Sequence, residues 1–114
     1  MNVAFFGGSF DPPHLSHSQV VRWLAGSGEF DLVLVVPCFS HAFDKGMAPF
    51  ADRVAMCGLA FGDIDPRVRI SQIESELPAP SFTVDTLAAL QERNPDWRMR
   101  LVAGSDIPLE TDRW

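Results

Sequence analysis

The residues with the clearest chemical potential lie in GGSFDPPHLSH, positions 7–17, where His14 and His17 follow a glycine pair and an Asp-Pro turn. Spaced i, i+3 in the first turn of a helix, the two imidazoles project on neighbouring faces and can reach one phosphate group. Gly7 and Gly8 allow a sharp turn and a close approach of backbone to ligand, with no Cβ in the way. Asp11 and Pro12 pre-form that turn, and the helix behind it offers unpaired N–H groups and a positive dipole end. The combination describes an anion site. Its spacing matches neither GxGxxG nor GxxxxGK[ST], so the usual dinucleotide and P-loop readings do not apply. A His pair by itself would equally suit a surface pair or a helix cap, and it is the preceding GGSFDP that favours binding. No third Cys, His or carboxylate is placed by the sequence to complete a zinc site, so no protein-held metal is expected.

Other candidates are less specific when read one at a time. Lys45 and Arg53 suit solvated loop and helix charges as well as phosphate contacts. Thr83 is a natural N-cap with Asp85 in the first turn behind it, and Asp106 could cap a helix starting at Ile107. A capping threonine can still turn its backbone N–H towards a ligand.

The elements that must position these residues follow from hydrophobic pattern. Residues 3–6 form a short β-prone run stopped by Gly7-Gly8, which predicts a buried strand leaving a sheet. A helix is expected from about His14, carrying Leu15, Val20, Val21 and Leu24 and ending near Gly26 or Gly28. Residues 32–36 predict a second strand closed by Pro37. Pro49 then opens a helix whose Phe50, Val54, Cys57 and Phe61 recur at i, i+4, i+7 and i+11, one buried face. A third strand is expected over 68–70, a polar Pro-rich loop over 75–80, a helix over 83–93 with Val84, Leu87 and Ala88 on one face, and a fourth strand over 101–103. Trp23 and Trp97 are expected to pack, and Phe5, Phe6, Phe50 and Phe61 to lie in the core. This alternation predicts an α/β fold: a Rossmann-like, mostly parallel sheet with helices on both faces. Ligands of such sheets bind outside the carboxyl ends of the strands, where the loops at Gly7, Pro37 and Gly104 fall.

Composition narrows the setting. The 114 residues are 46% hydrophobic and 21% charged, which predicts one globular domain over 1–114. A net charge of −6 argues against broad binding to nucleic-acid backbones, which needs a basic face. Cys38 and Cys57 are few and set in apolar sequence, as reduced cysteines of a cytoplasmic protein would be. No run approaches the ~20 apolar residues of a membrane span, and no signal peptide is expected. The chain stops at Trp114, where a further helix and strand are expected, so the fold is predicted to be truncated at its C-terminus.

GGSFDPPHLSH resembles the GxFDPxHxGH segment of the nucleotidyltransferase superfamily, departing from it at Ser16. HAFDKGMAPFADR, residues 41–53, resembles the loop and helix of nicotinate or nicotinamide mononucleotide adenylyltransferases. SFTVDTL, residues 81–87, is similar to the S-[YF]-T-x-x-T-L segment of the nicotinate enzymes, and GSDIPLETDRW, residues 104–114, to a G-x-D segment followed by tryptophan. The resemblance implies transfer of AMP from ATP to nicotinate mononucleotide, giving deamido-NAD and pyrophosphate. It implies that His14, His17 and Lys45 are catalytic, and that Gly7, Gly8, Ser9, Phe10, His14, His17, Gly104 and Asp106 bind ATP. Lys45, Arg53, Thr83 and Trp114 would bind the pyridine nucleotide. Mg²⁺ is implied with ATP, held mainly by phosphates and water. Nicotinamide mononucleotide and phosphopantetheine stand as alternative acceptors, and SFTVDTL favours a pyridine nucleotide. The family's later [ST]-x-x-x-[IV]-R segment is not among these residues, which motivates a rival reading of nucleotide binding without catalysis.

Overall fold

Two strands that are apolar on both faces decide the architecture. β1 (Asn2–Gly8) buries Val3 to Gly7, and β2 (Leu32–Pro37) is buried throughout. A strand covered on both sides needs a layer above and below, and parallel neighbours supply it through helical crossovers. In the computed structural model, which describes residues 1–39, 48–77 and 83–102, the sheet has four parallel strands in the order β3-β2-β1-β4. The remaining elements are α1 (Leu15–Gly26), α2 (Phe50–Phe61), β3 (Val68–Ile70), a short 3₁₀ turn η1 (Ile73–Glu76), α3 (Thr83–Arg93) and β4 (Arg98–Val102).

Side chains alternate between two cores, as the period of a strand requires. Ala4, Phe6, Val33 and Val35 face α1 and α2, meeting Val21, Leu24, Cys57 and Phe61. Val3, Phe5, Leu32, Leu34 and Val36 face the other way, meeting Ile73 of η1 and Leu87 and Leu90 of α3. Each fully buried Val, Leu or Phe stabilises the fold by roughly 1.5–3 kcal/mol, so these strands hold most of its apolar driving force.

Strand order fixes where a ligand can enter. The chain steps from β1 to β2 to β3 in one direction, then crosses back to place β4 on the far side of β1. In a parallel sheet of this kind, ligands bind outside the carboxyl ends of the strands near such a change in strand order, here between β1 and β4. The segment following β1 carries His14 and His17.

The four strands and three helices fall in the predicted order, with corrections at their margins. β4 starts at Arg98 rather than 101, and η1 occupies part of the predicted 75–80 loop. Leu15 is 76% exposed and Trp23 65% exposed, so neither packs as expected. Burial on α1 begins at His17 and continues through Val21, Leu24 and Ala25. On α2 the buried positions are Arg53, Cys57 and Phe61, with Phe50 and Val54 half-buried. On α3, Val84 and Ala88 are exposed, and Thr86 and Leu90 form the buried side. Trp97, as predicted, packs against the second core. Residue 103 and the 78–80 stretch lie outside the described residues. Among the described residues, no helix is long and apolar enough to cross a membrane.

Candidate functional site

The loop after β1 is held by a buried aromatic residue with an unusual backbone. Phe10 has φ 49°, in the left-handed region that costs an L-residue roughly 1–2 kcal/mol. Its ring offsets that cost by packing edge-on against Phe6, His17 and Phe61, with centroids 5.4, 5.1 and 5.8 Å away. Gly7, just upstream, has no room for a side chain: a Cβ there would sit 2.9 Å from Cε1 of Phe5. On the solvent side, the Asp11 carboxylate accepts the Ala48 N–H at 3.3 Å, tying this loop to the entry of α2.

The two histidines occupy different environments. His14 is the exposed N-cap of α1, and His17 is buried one turn later. The His14 N–H donates to Nδ1 of His17 at 2.8 Å. A nitrogen that accepts cannot carry the proton, so the neutral ring holds its proton on Nε2. The rings lie 5.3 Å apart and are tilted by 31°, close enough to serve one phosphate chain. The His17 N–H donates to His14 O at 3.0 Å, so the helix entry adds its dipole to the same place chiefly through the residues before it.

Behind this surface lies a charged side chain with almost no exposure. Arg53, 1% exposed, donates from Nε to Ala48 O at 2.8 Å. From Nη1 it donates to Ser9 O at 3.0 Å and Cys38 O at 2.6 Å, and from Nη2 to Phe39 O at 3.0 Å. Burying a guanidinium costs several kcal/mol unless its donors are used, and here one residue fastens the segments after β1 and β2 to the start of α2. Burial raises the Cys38 thiol above its usual value; Arg53 opposes that rise and Glu74 adds to it.

A family model described as cytidylyltransferase-like matches residues 5–114. The chain belongs to the cytidylyltransferase-like family. Within the curated relatives, a protein of Myxococcus xanthus (strain DK1622) named "Probable nicotinate-nucleotide adenylyltransferase" is 38% identical over 114 residues, covering 100% of this chain and 60% of its own length. A protein of the same name from Geobacter sulfurreducens is 33% identical over 116 residues, covering 100% of this chain and 53% of its own. The chain therefore spans little more than half the length of these relatives. The solved structure of Plasmodium falciparum nicotinic acid mononucleotide adenylyltransferase complexed with NaAD has a TM-score of 0.78 at 24% identity, over 88% of this chain and 50% of that one. It shares the fold.

In this cytidylyltransferase-like chain, Gly7, Gly8, Ser9, Phe10, His14 and His17 are brought together at the carboxyl end of β1. Thr83 opens α3, on the opposite face of the sheet from α1. Lys45, Gly104, Asp106 and Trp114 lie outside the described residues. Arg53 stands next to the site, 1% exposed and donating to four backbone carbonyls. Its spacing from Cys57 and Phe61, i, i+4 and i+8, was the available signal that it faces inward.

Sequence reasoning missed Glu74. This buried residue of η1 accepts the Phe39 N–H at Oε1, 3.4 Å away, and the hydroxyl of buried Thr86 at Oε2. Among the described residues, no group of three or more His, Cys, Asp or Glu is arranged to hold a metal ion.

Proposed function

We propose that the chain performs adenylyl transfer from ATP to nicotinate mononucleotide, giving deamido-NAD and pyrophosphate. The observation that carries this reading is the His14–His17 pair: a buried imidazole with its tautomer set by the helix entry, beside an exposed one, at the mouth of a parallel sheet. The name of the Myxococcus xanthus relative points the same way.

The acceptor's phosphate oxygen attacks the α-phosphorus of ATP in line, and the bond to the pyrophosphate oxygen breaks. Catalysis of this kind rests on positioning two anions and stabilising charge as it moves to the leaving phosphates. In this reading Nε2–H of His17 and the His14 ring donate to phosphate oxygens. The α1 N-terminus adds its partial charge, Lys45 would add a point charge to the phosphates, and Arg53 orders the loops that carry these groups. Gly7 to Phe10, with Gly104 and Asp106, would line the ATP side, and Thr83 and Trp114 the pyridine side. Mg²⁺ would enter with ATP, held mainly by phosphates and water, and would offset phosphate charge there. The free thiols Cys38 and Cys57 suit the reducing cytoplasm that this chemistry implies.

A second reading is nucleotide binding without transfer, since each contact assigned here to a phosphate serves binding as well as catalysis. One experiment separates the two. The purified chain is incubated with ATP and Mg²⁺ and with nicotinate mononucleotide, nicotinamide mononucleotide or phosphopantetheine, and products are read by mass spectrometry. Deamido-NAD as the main product is the expected result. NAD or dephospho-coenzyme A would reassign the acceptor, and ATP binding with no product would favour the second reading.

A further inference from the structure

The least expected feature of the carboxyl end of the sheet is a line of buried polar groups that crosses it. On one face Arg53 of α2 donates to the carbonyls of Ser9, Cys38 and Phe39. On the other face Glu74 of η1 accepts the Phe39 N–H and the Thr86 hydroxyl of α3. Between them runs the peptide joining Cys38 to Phe39, its carbonyl towards the cation and its N–H towards the anion, which is the favourable orientation of its dipole. The Cys38 N–H is used as well, donating to Gly8 O at 2.9 Å.

From this geometry we infer that Arg53 and Glu74 are positioning residues that grip the Cys38–Phe39 peptide from opposite faces and so couple the histidine loop to the start of α3. The inference rests on the proposed adenylyl transfer for its substrates, but not for its geometry. Ser9 lies in the loop that leads to His14. Thr86 stands one turn beyond Thr83 on the same side of α3. The two ends of the line therefore anchor the expected ATP half and the expected pyridine half of the site.

Physical cost argues that the line sets geometry. Buried charges and hydroxyls are costly to keep, and apolar residues of similar volume often serve stability as well or better. What a connected polar line adds is direction: each bond fixes the orientation of the next group. Phe61, Leu90 and Ile73 supply apolar closure on either side of the line.

The test uses the full chain carrying Glu74→Gln, Thr86→Val or Thr86→Ser, with thermal unfolding to show that each variant is folded. Glu74→Gln and Thr86→Val are expected to raise KM for the acceptor nucleotide about tenfold, the loss of one hydrogen bond to a charged group. The Kd for ATP should weaken less, by about threefold, because Arg53 still holds the histidine loop directly and the loosening reaches it only through the Cys38–Phe39 peptide. Thr86→Ser, which keeps the hydroxyl, should recover most of the loss. An unchanged acceptor KM in folded Glu74→Gln and Thr86→Val, or equal losses for both substrates, would overturn the inference. If Glu74→Gln does not fold, the Thr86 pair decides alone.

Should the unsubstituted chain make no product, the adenylyl-transfer reading fails while the line stays open to measurement. Amide exchange is then compared in the peptide covering residues 9–14, whose Ser9 carbonyl is held by Arg53. Faster exchange there in Glu74→Gln or Thr86→Val, and not in Thr86→Ser, supports coupling across the sheet. Exchange changed only beside the substitution overturns it.

Discussion

The backbone N–H of His14 and Nδ1 of His17 are joined at 2.8 Å, so the residue that caps α1 also orients the buried imidazole behind it. The Phe6 and Phe10 rings, with centroids 5.9 and 5.1 Å from that of His17, restrict it from the core side. A donor held this way needs little reorganisation when charge develops on a phosphate, which is the property that makes such groups effective in catalysis.

His17→Ala should therefore lower kcat by about 10²–10³ while changing ATP affinity far less, the pattern of a contact that strengthens in the transition state. Steady-state rates combined with calorimetric ATP titration measure both quantities. Parallel losses in the two would make His17 a ground-state contact.

Phe10 offers a reversal of the usual order of small substitutions. Phe10→Ala loses a buried ring and keeps a Cβ at φ 49°, whereas Phe10→Gly loses the ring and relieves the backbone. Both should destabilise, the alanine form by ~3–5 kcal/mol, with the glycine form more stable than the alanine form by ~1 kcal/mol. Urea denaturation of the two variants side by side gives the difference, and alanine proving the more stable would show that Phe10 carries no backbone strain.

Gly7→Ala tests the close approach at the end of β1. With its Cβ 2.9 Å from Cε1 of Phe5, the new methyl forces the Phe5 ring to move within a filled core. A loss of ~1–3 kcal/mol is expected, visible as a lower melting temperature. Shaving the ring in Phe5→Leu should remove much of the added penalty in the double variant; simple additivity of the two losses would refute the clash.

Cys57 predicts a pH dependence. Burial pushes its thiol from 9.0 up to about 12, with Arg53 opposing the rise. The folded form holds the proton more tightly than the unfolded chain does, so this contribution to stability is complete below about pH 9 and is lost as pH climbs towards 12. Melting temperature should fall more steeply from about pH 9 upward in the unsubstituted chain than in Cys57→Ala. Equal slopes would mean that the thiol does not contribute to the alkaline loss.

Much of the architecture was legible because doubly covered strands are continuous apolar runs, and 3–6 and 32–36 have no other sensible use. β4 begins before its predicted start because Arg98 and Arg100 are exposed in the strand, so its first half reads as polar chain. Leu15 and Val84 misled for a shared reason: each is apolar in the opening turn of a helix whose burial starts two residues later, at His17 and Thr86. The histidine loop was readable because its turn chemistry is local. Glu74 was not, because Glu76 two residues on is chemically identical yet exposed and paired with Arg93 at 3.1 Å. What separates the two glutamates is Phe39 and Thr86, partners that only the tertiary fold delivers.

The strand that leads to the histidines occupies an interior place in the sheet, and both of its neighbours are encoded after it. As the chain leaves the ribosome, one edge of β1 can close once β2 has emerged. The other must wait for β4, whose last residue is Val102. Until then β1 presents an open row of N–H and C=O groups on that side to whatever is nearby, the situation in which wrong pairings form. The interior position that fixes this strand in the finished sheet makes it, among the described strands, the one that waits longest for its second neighbour.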